Sequence, residues 1–269
     1  MPSQFSTFLL FAFLISSCST GKLSVIADLP SSLKETSAIE MTKNPDLLWV
    51  IEDAGNKNNL YALNTKGKIV KDINLENIQN IDWEDLTSDS QGNIYIGDFG
   101  NNAKKRKNFA IYKVINPKDA STSAKAEVIS FSLPKDMESE DFESFFLYNN
   151  AFYIFSKGHK KCKLIKVPNT IGDHVAEFIS EYKLKGKHRR VTSADISEDG
   201  KTVVLLTHDK LWKLTNYTLD NFFNGTIEVI KFDHDSQKEG VNFLDSNTLY
   251  ITDEKTKNEG GNIYRFNLN

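Results

Sequence analysis

Cysteine is scarce in this sequence, and so are several other features that mark common protein classes. Only two cysteines and five histidines occur among 269 residues, which excludes a disulfide framework and a cysteine-rich zinc site. The 33 lysines and arginines are balanced by 36 acids, for a net charge of −3, so we expect no nucleic-acid partner. Nucleophile-elbow, phosphate-loop and His-Glu-x-x-His motifs are absent, which leaves serine-hydrolase, P-loop and zincin chemistry without support.

The longest apolar run lies near the amino terminus, from Phe8 to Ile15. It is too short to span a bilayer but fits the apolar core of a signal peptide. The Ile-Ser-Ser-Cys that ends at Cys18 resembles a bacterial lipobox, although no lysine or arginine precedes the run. We therefore expect a signal peptide over residues 1–17 and a lipid on Cys18 that anchors the protein in the cell envelope, with the outer membrane favoured. An ordinary signal peptide or a buried strand is the alternative.

Beyond this segment, a pattern of strand-like runs recurs five times. The units begin at Glu35, Glu84, Glu143, Thr192 and Glu239, at intervals of 49, 59, 49 and 47 residues. Each unit holds runs of β-branched and aromatic residues that are separated by turn residues, a pattern typical of strands. A fixed period of roughly this length indicates a repeat architecture.

The fifth unit lacks a fourth strand, and an unassigned strand-like run at residues 22–29 can supply it. Such pairing would close a ring of four-stranded blades and hide its edges. The sequence thus predicts an all-β, five-bladed β-propeller formed by a single domain at residues 18–269, and we expect a monomer. A sixth blade within residues 116–141 is the alternative blade count, and an irregular β-sandwich is the alternative fold.

Acidic residues cluster where the strands of each unit begin and end. An alignment of the first two units matches Glu35 with Glu84, and Asp53 with Asp98. In a propeller, the start of the inner strand and the end of the second strand lie at the same mouth of the central channel. Oxygen ligands at such a mouth favour Ca²⁺, although acids also cap strand ends by accepting hydrogen bonds from loop N–H groups. The candidate metal ligands are Glu35, Asp53, Glu84, Asp98, Asn101, Glu143, Glu239 and Asp253.

Basic residues are expected around the same mouth. An acidic centre ringed by cations suits an anionic ligand that is steered in by charge, although lysine-rich loops also serve solubility alone. Two histidines, His159 and His208, are candidate general bases beside a metal-bound water, or else ordinary loop histidines. The candidate ligand-binding rim comprises Lys104, Lys105, Arg106, Lys157, Arg189 and Arg190.

The first strand begins with a glutamate, the second strand is followed by an acid, a glycine and an asparagine, and the last unit begins with Glu239-Gly240. This pattern resembles the SdiA-regulated and NHL-like bacterial propellers. More distantly, the chain is similar to calcium-dependent lactonase and phosphotriesterase propellers such as gluconolactonase and paraoxonase. That distant resemblance implies cation binding by Glu84, Asp98, Asn101 and Asp253. Our leading hypothesis is a protein that binds a small ligand or a protein partner at the channel mouth. The alternative is a metal-dependent hydrolase of lactones or phosphoesters.

Overall fold

The computed structural model describes residues 20–42, 46–257 and 259–268. The predicted signal peptide and the predicted lipidation site, Cys18, lie outside the described residues. Within these ranges, no helix is both long enough and apolar enough to cross a membrane. The second cysteine, Cys162, is a buried free thiol that donates to the carbonyl of Ser156, and burial raises its pKa.

Five antiparallel sheets form the ring of a five-bladed β-propeller, which confirms the predicted fold and blade number. From the inner to the outer strand, blade 1 comprises Thr36–Met41, Leu48–Glu52, Asn59–Leu63 and Ile69–Leu75. Blade 2 comprises Trp83–Ser88, Ile94–Asp98, Asn108–Val114 and Ala126–Ser132. Blade 3 comprises Phe142–Tyr148, Ala151–Ser156, Cys162–Pro168 and Glu177–Tyr182. Blade 4 comprises Ser193–Ile196, Thr202–Leu206, Lys210–Thr215 and Thr226–Lys231.

Blade 5 joins the two ends of the chain. Its three inner strands are Lys238–Phe243, Thr248–Asp253 and Asn262–Asn267, and its outer strand is Ser24–Asp28. The outer strand pairs antiparallel with its neighbour, so that Ser24 lies opposite Arg265 and Asp28 opposite Asn262. The prediction that residues 22–29 close the ring is therefore confirmed.

The segment considered for a sixth blade instead extends the outer edge of blade 1 and supplies the outer strand of blade 2. It contains the 3₁₀ helix Pro117–Asp119 and the short strand Ser123–Ala124, which pairs in parallel with the outer strand of blade 1. A further strand, Gly172–Val175, pairs in parallel with the outer strand of blade 2. A second 3₁₀ helix spans Phe222–Asn224. No sixth blade occurs in the described residues.

The hydrophobic core lies between neighbouring blades, because each sheet is covered on both faces. Trp49 and Trp83 are fully buried between blades 1 and 2, and Trp212 is buried between blades 3 and 4. Alternating large residues from adjacent sheets fill these layers. The central channel, in contrast, is lined by polar side chains of the inner strands, which is where the candidate site lies.

Candidate functional site

A β-bulge at the start of the inner strand positions the acids of the channel mouth. The ladder register shifts by one residue in blades 1, 2, 3 and 5. A bulge adds one unpaired residue and re-aims its side chain. The bulged residues are Ser37, Glu84, Glu143 and Glu239 in these four blades. Three glutamates predicted from the sequence therefore occupy equivalent positions, whereas blade 1 carries a serine there.

The register of blade 1 differs from the sequence alignment, which matched Glu35 with Glu84 and Asp53 with Asp98. Glu52 lies opposite Thr36, as Asp98 lies opposite Trp83 in blade 2. Asp53 is consequently one residue beyond the end of the second strand. Because Asp53 lies one residue further along the chain, its side chain reaches the start of the inner strand of blade 2.

Three carboxylates converge at this point, from Asp53, Asp82 and Glu84, which we call the acidic triad. Each offers one oxygen, and these oxygens all lie within 4.8 Å of one another. Asp53 and Glu84 were predicted, whereas Asp82 was not among the candidates. The signal for Asp82 was its position two residues before Glu84, since alternate residues of an extended chain point to the same side.

The triad carries more negative charge than its surroundings readily stabilise. Burial, and then the nearby charge of Asp53, raise the pKa of Asp82 to about 6. Burial also raises the pKa of Glu84 well above its usual range, with Glu143 and Asp53 adding to the effect. Like charges in a poorly solvated site disfavour ionisation. A bound cation would reverse this effect.

Gly100 forms one wall of the triad. A Cβ atom at this position would lie 2.0 Å from Glu84 Oε1 and 2.4 Å from Asp82 Cγ. The Gly100 N–H donates to the carbonyl of Asp82 at 3.2 Å. The backbone therefore approaches the carboxylates at a distance that only glycine permits.

Glu143, at the equivalent bulge of blade 3, has a cation supplied by the chain itself. Lys157 Nζ lies 2.6 Å from Glu143 Oε1 and 3.9 Å from Asp141 Oδ2. Burial acts to lower the pKa of Lys157, but Glu143, Asp141 and Glu84 together outweigh burial and hold that pKa above its ordinary value. Glu143 thus has a lysine in direct contact, although burial still raises its pKa well above the usual range. In the described part of the chain, no such ion pair reaches the triad.

Asp98 and Asp253 serve as caps at the ends of second strands. Asp98 accepts from Arg106 at 2.7 Å and from Tyr112 at 3.3 Å. Asp253 accepts from Tyr264 at 2.7 Å, and also from Ser236 and the Asn262 N–H. The tyrosine on the third strand plays the same part in both blades. The structure does not group these two aspartates with the triad.

Asn101 also holds a loop together. Its Oδ1 accepts from the backbone N–H groups of Lys105 and Arg106 at 2.8 and 3.0 Å, and its amide donates to Ser139 Oγ. Both ends of the side chain are therefore occupied by loop contacts.

The remaining predicted acids surround the triad. Glu35 accepts from Asn56 at 2.7 Å, and Glu239 Oε1 lies 3.3 Å from His208 Nε2. Glu254, an additional acid, has its pKa raised to about 8 by burial, then by Glu239 and Asp53. Unfavourable carboxylate interactions thus extend beyond the triad.

The six predicted rim cations fall into different environments. Arg106 binds Asp98 and Lys157 binds Glu143, while Lys104 lies 2.5 Å from Glu140. The Lys105 side chain is exposed. Arg189 and Arg190 line a cavity of about 540 Å³, together with His159 and His208. The last two cations are therefore placed to meet a ligand.

Away from the mouth, a buried carboxylate bridges the inner strands. Asp85 accepts from the N–H groups of Phe145 and Ala194 at 3.1 and 3.2 Å, from Ser193 Oγ at 3.0 Å and from the Leu86 N–H at 3.0 Å. These partners come from blades 2, 3 and 4. Burial raises the pKa of Asp85, and the hydrogen bonds oppose that rise.

The chain is thus a five-bladed β-propeller. Acids surround one mouth of its central channel, and this mouth is the candidate ligand site. The chain belongs to the SdiA-regulated family, whose model matches residues 23–256. This assignment confirms the resemblance found in the sequence. Among curated proteins, no sequence matches this chain.

Several solved structures share the fold. The PQQ-bound aldose sugar dehydrogenase of Streptomyces coelicolor is 7% identical with a TM-score of 0.55, covering 91% of this chain and 97% of that chain. Glutaminyl cyclase of Myxococcus xanthus is 11% identical with a TM-score of 0.56, covering 90% and 94%. A gluconolactonase of Xanthomonas campestris is 8% identical with a TM-score of 0.52, covering 92% and 89%. At such identities these likenesses show the fold alone.

Proposed function

We propose that this protein binds a divalent cation at the acidic triad and, with it, a small ligand at the channel mouth. The observation that carries the proposal is the convergence of Asp53, Asp82 and Glu84 within 4.8 Å. Burial raises the pKa of each of them, and nearby carboxylates add to the rise: Asp53 acts on Asp82 and Glu84, and Glu239 acts on Asp53. Glu143, in contrast, is paired with a lysine.

The donor set of the triad fits Ca²⁺. Carboxylate oxygens are hard ligands, and Ca²⁺ accepts between six and eight oxygens in flexible geometry. Three carboxylates leave coordination positions for water or for an oxygen of a ligand. Bound Ca²⁺ would supply positive charge at the mouth, while Gly100 keeps the space beside Glu84 and Asp82 free of a side chain.

Calcium titration tests this proposal. A chain that begins at Thr20 retains every described strand, because the strands lie between Ser24 and Asn267. We expect calorimetry to show micromolar binding with a raised melting temperature, and we expect Glu84→Gln and Asp82→Asn to abolish both. Asp98→Asn is the matched control: it should lower stability but preserve calcium affinity. Absence of binding to the unmodified chain would reject the cation site.

We further propose that the protein is exported and held at the outer membrane by a lipid on Cys18. The support is the resemblance of the sequence before Cys18 to a lipobox, together with the early start of the fold, since the Lys22 N–H already donates to the carbonyl of Phe232 at 2.8 Å. Such a tether of about four residues spans roughly 14 Å at most. Fatty-acid labelling of the full-length protein should be lost in Cys18→Ser, and membrane fractionation should locate the labelled form.

A metal-dependent hydrolase is a second candidate, and the contact between His208 and Glu239 supports it. Glu239 also raises the pKa of Asp53, so the pair lies within electrostatic reach of the triad. A general base contributes about 10²–10⁴-fold to such reactions. Lactone and phosphoester hydrolysis should then require Ca²⁺ and fall by about this factor in His208→Ala. A calcium-loaded chain without turnover would reject the enzyme and leave the binding protein.

A further inference from the structure

A second site lies beside the acidic triad, in the cavity formed by loops of blades 3 and 4. Its volume of about 540 Å³ is within the usual range for small-molecule sites. Its ionisable lining is entirely basic. We call this cavity the basic pocket, and its ionisable lining residues are His159, Lys187, His188, Arg189, Arg190 and His208.

The two guanidinium groups of the basic pocket carry positive charge that no described carboxylate neutralises by direct contact. Arg189 Nη2 donates to the carbonyl of His159 at 3.0 Å, a neutral acceptor. No hydrogen bond or ion pair joins Arg190 to another residue in the described part of the chain. The nearby acids bind histidines instead, since Glu239 contacts His208 and Asp235 lies 3.9 Å from His188.

The environment of His159 shows that the local potential is positive. Burial lowers the pKa of His159, and the charges of Arg190 and Lys104 lower it further. Asp141 opposes this effect without cancelling it. A bound anion would relieve this repulsion.

Backbone contacts hold the basic pocket in shape. Lys210 Nζ donates to the carbonyl of Lys187 at 2.8 Å, and the Val191 N–H donates to the carbonyl of Lys157 at 3.0 Å. His188 has a φ of 47°, a left-handed conformation that turns the loop at this point. The loop that carries both arginines is therefore tied to blades 3 and 4 at either end.

We propose that the basic pocket binds the phosphate group of a small phosphate monoester. Guanidinium groups match phosphate oxygens in geometry and form paired, charge-assisted hydrogen bonds with them. Two adjacent arginines balance a dianion better than a monoanionic carboxylate, and the flanking histidines offer ring N–H groups that can donate to phosphate oxygens. The cavity is larger than phosphate alone, so it also accommodates the organic part of the ligand. The basic pocket shares no residue with the acidic triad.

Calorimetry with phosphate probes on the chain from Thr20, without divalent cations, tests the inference. We expect phenyl phosphate to bind with submillimolar affinity, inorganic phosphate more weakly, and Arg190→Ala to weaken phenyl phosphate by about tenfold or more. Arg190→Lys keeps the positive charge but cannot form the paired hydrogen bonds of a guanidinium, so its affinity for phenyl phosphate should lie between those of the unmodified chain and Arg190→Ala. Lys183→Ala is the control, because Lys183 is an exposed cation of the same segment outside the cavity lining.

Two comparisons separate this site from the cation site and from lipid. Glu84→Gln should abolish calcium binding yet leave the affinity for phenyl phosphate within about twofold. Arg190→Ala should weaken phenyl phosphate binding but leave calcium affinity within about twofold. Binding to phosphatidylcholine vesicles that contain phosphatidic acid, without binding of phenyl phosphate, would assign the basic pocket to a lipid headgroup and overturn the proposal; binding of phenyl phosphate without vesicle binding supports it. The proposal would be overturned if Arg190→Ala bound phenyl phosphate as tightly as the unmodified chain does. It would also be overturned if benzoate bound as tightly as phenyl phosphate.

Discussion

Replacing Asp85 with asparagine exchanges one buried carboxylate oxygen for an amide that donates hydrogen bonds. Asp85 is an acceptor for four donors at once, two at each oxygen. The N–H groups of Phe145 and Ala194 meet Oδ2, whereas the Leu86 N–H and Ser193 Oγ meet Oδ1. The Ser193 hydroxyl is itself an acceptor for the Val241 N–H. The substitution therefore affects the contacts between four blades.

The magnitude follows from the number of donors left without an acceptor. If the amide nitrogen occupies the Oδ2 position, two backbone N–H groups face a donor; if it occupies the Oδ1 position, Leu86 and Ser193 do. Each unsatisfied buried donor costs about 1–3 kcal/mol, and removal of a buried charge offsets part of this cost. We expect Asp85→Asn to lower the free energy of unfolding by about 2–4 kcal/mol, and Asp85→Ala to lower it further.

Equilibrium urea unfolding, followed by the fluorescence of the buried tryptophans, measures this loss. Asp136→Asn is the matched control, because Asp136 is exposed, and its effect should stay within about 0.5 kcal/mol. A loss below about 1 kcal/mol for Asp85→Asn would show that the four hydrogen bonds do not act as the structure indicates.

Three further predictions concern the mouth and the ring. Without divalent cations, the free energy of unfolding should fall as pH rises from about 4 to about 8. In the folded state the pKa of Asp82 is raised to about 6 and that of Glu254 to about 8, so the folded state retains protons that the unfolded state loses. Urea unfolding at a series of pH values checks this, and a rise of stability with pH would contradict it. Gly100→Ala should weaken calcium binding about tenfold by calorimetry. Gly172→Ala is the control: this glycine lies at the outer edge of blade 2 and a Cβ there meets nothing within 4 Å, so any strain from its positive φ should leave calcium affinity unchanged. Deleting residues 20–28 should expose the strand Asn262–Asn267 and produce dimers or aggregates by light scattering; a stable monomer would show that closure is dispensable.

The strand pattern was predictable because it is local. Runs such as Asn59–Leu63 and Cys162–Pro168 alternate or concentrate apolar residues, and their spacing repeats along the chain. Closure by the first strand followed from counting strands. Each of these inferences requires only the periodicity of side chains and the need to pair edges.

The site was less predictable because its geometry depends on bulges and on distant partners. A bulge has no fixed sequence signature, so the alignment matched Asp53 with Asp98, and Asp82 was passed over. Pairing of a carboxylate with a distant base, as between Lys157 and Glu143, depends on side-chain direction after folding. Sequence reasoning therefore found acids at the correct mouth but did not separate caps from the triad.

Closure of blade 5 also sets an order of events in the life of the chain. The strand Ser24–Asp28 leaves the ribosome long before its partner, Asn262–Asn267, has been made. At ordinary rates of synthesis, the first strand waits on the order of ten seconds or more. During that interval its backbone groups have no sheet to join, and the ring stays open. The ring therefore closes only after the strand Asn262–Asn267 has been made, and a chain cut short before that strand would keep the outer strand of blade 5 without its partner.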